Sequence, residues 1–238
     1  ETAPAGNAST TGGITAVSRI PNSMEVWWIG ANGSVQDAFW YEGQPWRRQE
    51  IAPAGSASTS PAPRRPSSTN NKNIAAVSRI PNSMEIWWIG ANGSVQDAFW
   101  YEGQPWRQQE TAPAGSASTT GSITVVSRIP NSMEVWWIGA NGSVQSAFWY
   151  EGQPWRRQEI APAGSASTTG GITAVSRIPN SMEVWWIGAN GSVQSAFWYE
   201  GQPWRRQETA PAGSASTTGG ITAVSRIPNS MEVWWIGA

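Results

Sequence analysis

The stretch MEVWWIGANGSVQDAFWYEGQPW, residues 24–46, holds four tryptophans and an Asn-Gly pair, and its reading decides the fold. Asn32-Gly33 favours the positive φ angles of a tight hairpin turn. Met24 to Gly30, before the pair, is dense in aromatic and β-branched residues, and Ser34 to Glu42, after it, reads as the returning strand. Successive side chains of a strand face opposite sides, so Val26 and Trp28 point one way while Trp27 and Ile29 point the other. Both faces are apolar, and each needs a cover.

Outward from this hairpin the pattern stays β. Ile14 to Ile20 (ITAVSRI) is rich in β-branched residues, nearly alternates, and ends at the turn cluster Pro21-Asn22-Ser23. Gly43-Gln44-Pro45 is the next turn, and Trp46 onward (WRRQEIA) begins a fourth strand before a loop rich in Pro, Gly and Ser. No stretch carries a 3.6-residue apolar period with caps at both ends, so almost no helix is expected.

The whole chain is this unit copied. APAG, SRIPNSME, WWIGA and GQPWR recur at one spacing, giving repeats at 1–49, 50–109, 110–158, 159–207 and 208–238. The third and fourth differ only at Thr111/Ile160, Ser122/Gly171 and Val125/Ala174, a near-identity that reflects recent amplification or design, so sameness between copies reports geometry and not selection on any residue. In the second unit, residues 60–73 (SPAPRRPSSTNNKN) replace TGG and read as a solvated surface loop. The fifth unit stops at WWIGA and is truncated.

Sheets that are apolar on both faces and have no helices to cover them must cover one another. Four-stranded units of 49 residues packed each between two neighbours close radially into a β-propeller. The reading is therefore all-β: a single propeller domain over residues 1–238, built of four-stranded antiparallel blades, about five in this chain with the last incomplete. A parallel β-helix also stacks repeats, but its coils are usually shorter and need no Asn-Gly hairpins. Indoles suit the wedge between blades because each buries roughly 150–250 Å².

Composition narrows the function. With 13% charged residues and a formal net charge of −1, the chain has no basic field for nucleic acid or an anionic membrane. Cysteine and histidine are both absent, which removes the commonest zinc ligands, the usual general base near neutral pH, and the nucleophile systems built on Ser/His/Asp or Cys/His. No metal, cofactor or membrane insertion is expected. Residue 1 opens on a polar loop sequence with no signal-like apolar core.

The set ITAVSRIPNSMEVWWIGANGSVQDAFWYEG, followed by PW and APAG, resembles the repeat of the bacterial fucose-binding β-propeller lectins found in insect-associated bacteria. The resemblance covers every unit apart from the Pro-rich insert. It implies a seven-bladed ring binding fucose and O-methylated sugars in shallow sites between blades, a secreted or cell-surface-directed protein, glycans as partners and no enzymatic activity. This chain departs from it in having fewer than five whole blades.

Such sugars present an apolar face and a ring of hydroxyls, which call for aromatic platforms and a few planar hydrogen-bonding groups. In the first unit, Arg19 and Glu25 are the candidate hydroxyl partners, and Trp28, Trp40, Tyr41 and Trp46 the candidate stacking surfaces. The second unit offers Arg79, Glu85, Trp88, Trp100, Tyr101 and Trp106, and the third Arg128, Glu134, Trp137, Trp149, Tyr150 and Trp155. The fourth offers Arg177, Glu183, Trp186, Trp198, Tyr199 and Trp204, and the fifth only Arg226, Glu232 and Trp235. Plainer roles compete: Arg19 and Glu25 could pair across the turn, and at least two indoles per unit should be core. Asp37 becomes Ser146 and Ser195, so no function shared by all units needs a carboxylate there. A glycosidase would need two carboxylates about 5–10 Å apart, drawn from Glu25, Asp37 and Glu42; a ligand-free repeat scaffold is the third option. The truncated last unit leaves an open strand edge, for which a homo-oligomer or a five-bladed ring with one incomplete blade is expected.

Overall fold

A computed structural model describes residues 3–59 and 73–238. The described residues form eighteen strands and no helix, hence no helix long and apolar enough to cross a membrane. They make four four-stranded antiparallel sheets, each a simple meander, and a final two-stranded sheet. The first sheet contains β1 (Ile14–Val17), β2 (Ser23–Ile29), β3 (Val35–Tyr41) and β4 (Arg47–Ala52). The pattern repeats from β5 (Ile74–Val77) to β16 (Arg205–Ala210), and β17 (Ile221–Val224) and β18 (Glu232–Trp235) form the incomplete fifth sheet. The all-β architecture with a partial last blade is as the sequence implies. Residues 60–72 of the expected surface loop lie outside the described residues.

The sheets pack face to face in chain order, with β1, β5, β9 (Ile123–Val126), β13 (Ile172–Val175) and β17 as successive neighbours. Each seam is a separate hydrophobic core. At the first, Trp27 and Ile29 of one sheet meet Ile74, Met84, Ile86 and Trp88 of the next. The period-two alternation inside Trp27-Trp28 divides the pair, one indole to each face. Across the seams Trp27 meets Trp106, Trp87 meets Trp155 and Trp136 meets Trp204, all edge to face with ring centroids 6.3, 6.0 and 6.2 Å apart. Such contacts add about 0.5–1.5 kcal/mol each beyond the area they bury.

The first strand is shorter than ITAVSRI suggests. Its ladder with β2 runs from Ile14↔Trp28 to Val17↔Glu25 and then stops. The hydroxyls of Ser18 and Ser23 both donate to the Ile20 carbonyl, at 3.0 and 2.9 Å, curling the chain before the next strand. Side-chain bonds to the backbone compete here with the ladder and win.

The sheets are also stitched at the Asn-Gly hairpins. Gly142 sits at φ +74°, and its carbonyl accepts from the Ala166 N–H at 2.8 Å while that of Asn141 accepts from Gly164 at 2.9 Å. This loop leads into the next sheet. A Cβ on Gly142 would stand 2.8 Å from the Ala166 carbonyl oxygen, whereas one on Gly152, at φ +77°, would meet nothing within 4 Å. In the second unit the buried Asn73 adds a different stitch, accepting from Gly13 N–H and donating to the Ser58 carbonyl, both at 2.7 Å.

Gly152→Ala is expected to lower stability by about 1–2 kcal/mol, the strain of a left-handed alanine. Gly142→Ala should cost roughly 1–3 kcal/mol more, because a backbone carbonyl has to move. Urea denaturation of the two variants measures the difference, and equal losses would remove the hairpin stitch from the account.

Candidate functional site

The curl after β1 turns Arg19 off its own sheet and into the seam. Its Nε donates to Glu25 Oε1 at 3.2 Å, Nη2 donates to the Tyr41 hydroxyl, and Nη1 reaches across to Asn82 Oδ1 of the next sheet. The guanidinium carbon lies 5.1 Å from the Tyr41 ring centroid and 4.9 Å from that of Trp100, also on the next sheet. Arginine is suited to this place because its planar fork reaches three acceptors while its faces lie against aromatic rings.

The arrangement recurs at each seam. Arg79 donates to Glu85 at 2.9 Å, to Tyr101 and to Asn131, with Trp149 4.8 Å away. Arg128 donates to Tyr150 at 2.7 Å and to Asn180, with Trp198 at 4.8 Å. Arg177 donates to Glu183 at 2.8 Å, to Asn229 at 2.8 Å and to Tyr199, but the chain ends before the aromatic residue that would come from the fifth sheet.

Beside the first of these clusters lies a cleft of about 330 Å³, lined by Glu25, Asp37, Phe39, Tyr41 and Gln49 of one sheet and by Met84, Trp100, Pro105 and Trp106 of the next. Its polar floor comes from three adjacent strands. Gln49 donates to Asp37 Oδ2 at 2.7 Å, and Gln109 to Asp97 Oδ2 at 2.6 Å in the second sheet. Glu25 Oε2 and Asp37 Oδ1 are buried without a partner, as are Glu85 Oε2 and Asp97 Oδ1. In the third sheet Ser146 and Gln158 both donate to Glu134 Oε1, at 3.1 and 3.3 Å.

Burial sets the proton affinity of this floor. It pushes Asp37, Asp97 and Glu85 up to about 7 and Glu134 to about 8, and raises Glu25 and Glu183 as well. Desolvation outweighs the attraction of Arg19, Arg79 and Arg177 for their glutamates. The aspartates feel the neighbouring Glu25 and Glu85 charges in addition. Near neutral pH the floor therefore holds carboxyl groups close to their titration point, able to donate as well as to accept.

The candidate residues thus divide. Arg19, Glu25 and Tyr41 of the first sheet come together with Trp100 and Trp106 of the second, and the same holds one and two seams further on. Trp40 and Trp46 belong to the equivalent wall of the first sheet, which no preceding sheet faces. Trp28, Trp88, Trp137 and Trp186 are buried elsewhere. Trp137 and Trp186 border a second kind of cleft beside the Asn-Gly hairpins, of about 500 and 480 Å³, with Asn141, Gln145 and Glu159 or Asn190, Gln194 and Glu208. The fifth-unit pair Arg226 and Glu232, at 2.9 Å, stands open to solvent.

Sequence reasoning missed the asparagine of each PNS turn and the glutamine of each fourth strand. The first carries a signal in hindsight: Asn82, Asn131, Asn180 and Asn229 all sit at φ near +60°, where asparagine is tolerated, and all receive an arginine from the preceding sheet. Gln49 carries none, because only the strand register places it opposite Asp37. Among the described residues no three His, Cys, Asp or Glu side chains cluster so as to hold a metal ion.

A carboxyl whose pKa rises on folding contributes stability that is complete below its unfolded value, near 4, and is lost as pH rises through its folded value. For Asp37 and Asp97 that window ends at about 7. Asp97→Asn is accordingly expected to leave the melting temperature near pH 4 almost unchanged and to raise it at pH 8. Thermal unfolding across pH checks this, and a variant less stable at pH 8 than the parent would contradict the assignment.

No family model and no curated protein matches the chain by sequence. Solved structures do match by fold. BP39L lectin from Burkholderia pseudomallei superposes with a TM-score of 0.81 at 20% identity, over 94% of this chain and 63% of that one. AofleA from Arthrobotrys oligospora does so with 0.74 at 16% identity, over 99% and 68%. The Aleuria aurantia lectin, described as a six-bladed β-propeller with a novel fucose recognition mode, gives 0.65 at 17% identity, over 96% and 73%. This chain therefore spans less than two thirds of the length of BP39L. At these identities the likeness concerns the fold alone, and the stacked four-stranded sheets superpose on a β-propeller.

Proposed function

We propose that this chain is a multivalent carbohydrate-binding lectin that takes fucose-type or O-methylated sugars in the clefts between adjacent sheets and acts by binding, without catalysis. The observation that carries the reading is the cleft where Trp100 and Trp106 of one sheet stand over Glu25, Asp37 and Gln49 of its neighbour. A deoxy or methylated sugar ring has an apolar face for the indoles, and its hydroxyls can both donate to and accept from carboxyls poised near neutral pH. The volume falls within the range of about 300–1,000 Å³ usual for small-molecule sites. Arg19 has its donors on Glu25, Asn82 and Tyr41, so its part is to hold the wall and floor in place.

Three seams have both an arginine with its tyrosine and an opposing indole at cation–π distance. Several weak sites on one chain bind a glycan-coated surface far more firmly than any one of them alone, because each later contact is intramolecular.

The ligand-free scaffold is the second reading, and the arginine's engagement with protein acceptors favours it. Titration with methyl fucoside, followed by tryptophan fluorescence and calorimetry, separates the two. The lectin reading expects saturable binding at about three sites per chain, following from the three seams with an opposing indole. Trp149→Ala should remove one of them, and Trp149→Phe should restore part of the affinity. Absence of a saturable response to fucosylated or O-methylated glycans from folded protein would overturn the proposal.

A further inference from the structure

The seams share their apolar cores but differ in their polar floors. At the first, Glu25 stands opposite Phe39 and Asp37 opposite Trp27, so the two carboxyls are diagonal neighbours on the face that lines the cleft. Both residues are at most 2% exposed, and each keeps one oxygen without a partner, Glu25 Oε2 and Asp37 Oδ1. Their other oxygens are taken, by Arg19 at 3.2 Å and by Gln49 at 2.7 Å. The second seam repeats this with Glu85 and Asp97, whose Oε2 and Oδ1 are likewise buried and unpartnered.

The third seam departs from this pattern. Its register is the same, with Glu134 opposite Phe148 and Ser146 opposite Trp136, so serine takes the place of the aspartate. The Ser146 hydroxyl donates to Glu134 Oε1 at 3.1 Å, and Gln158 donates to the same oxygen at 3.3 Å. One carboxyl remains where the first two seams have a pair. The walls do not differ, since Trp100, Trp149 and Trp198 lie 4.9, 4.8 and 4.8 Å from the arginine of the preceding sheet.

We propose that this exchange gives the seams two specificities: the first two take a sugar with two neighbouring free hydroxyls, and the third accepts one whose hydroxyl facing Ser146 is O-methylated. The inference rests on the lectin reading and divides its two sugar types between sites. Two buried acceptors are satisfied by hydroxyls that donate, and an ether oxygen has no proton to donate. Set against Asp37 Oδ1 or Asp97 Oδ1, it leaves acceptor facing acceptor in a site shielded from water. A serine hydroxyl rotates, so Ser146 can turn from Glu134 to the ether oxygen while Gln158 keeps its bond to the carboxylate. Serine is also the smaller side chain, which leaves room for the methyl group.

Calorimetric titration of the full chain with methyl fucoside and with each of its singly O-methylated ethers tests this at pH 8. That lies above the value of about 7 to which burial, with the charges of Glu25 and Glu85, raises Asp37 and Asp97. The variants use residues the chain already accommodates at these positions: the double variant Asp37→Ser/Asp97→Ser, and the reverse exchange Ser146→Asp. The parent is expected to bind methyl fucoside at about three sites and at least one ether at about one site, the other two seams holding that ether about tenfold or more weaker. In the double variant the same ether should fill about three sites. Ser146→Asp should weaken its binding by about tenfold or more while leaving the number of methyl fucoside sites unchanged. If methyl fucoside binds but every ether fills all seams or none, or neither exchange moves the ether stoichiometry, this proposal falls and the lectin reading stands. Absence of a saturable response to methyl fucoside overturns both.

Discussion

The structure depends on one constraint: each sheet is apolar on both faces, so no sheet is stable without a neighbour. Trp87 and Trp88 are adjacent in sequence and face opposite sides, each in a different layer. A helix could have covered one face, but none exists among the described residues. Stacking copies is then the solution the chain has at hand. The Asn-Gly hairpin contributes twice, by turning the chain between the two longest strands and by offering backbone carbonyls to the loop that enters the next sheet.

The arginine joins this architecture to the candidate site. A guanidinium buried between sheets is costly unless its donors are satisfied and its charge is balanced. Glutamate, tyrosine and the asparagine of the next sheet meet that requirement together, and two aromatic rings lie against the cation. The same contacts hold the tryptophan of the second sheet over the carboxyl floor of the first. Removing the arginine would leave a carboxylate buried and unpaired, so the stability of the seam and the shape of the cleft are bound to one side chain.

Much of the fold was legible in the sequence because its signals are local. The Asn-Gly turn, the alternation in EVWWI and the repeat spacing are properties of neighbouring residues, and they imply paired strands, two-sided burial and stacked units. The cleft was legible only in part. Arg19, Glu25 and Tyr41 lie on one sheet and could be grouped by their distance along the chain, but the wall opposite comes from Trp100 and Trp106, a full unit away. Which indole faces its own sheet's arginine and which faces the next is set by the direction of stacking, and a sequence of identical units does not carry that direction. Gln49 was invisible for a related reason, since a bulge between Val35 and Gln36 shifts the register that sets it opposite Asp37.

The sameness of the seams also bears on how the chain reaches this state. With units three and four differing at three positions, a newly formed sheet meets several surfaces that fit it equally well. Sequence distance alone then distinguishes the proper neighbour from a remote one, and connection length becomes the source of order. Refolding from a fully extended chain invites layers to insert out of turn, whereas emergence from a ribosome presents them one after another. Vectorial synthesis thus supplies the positional information that the side chains lack.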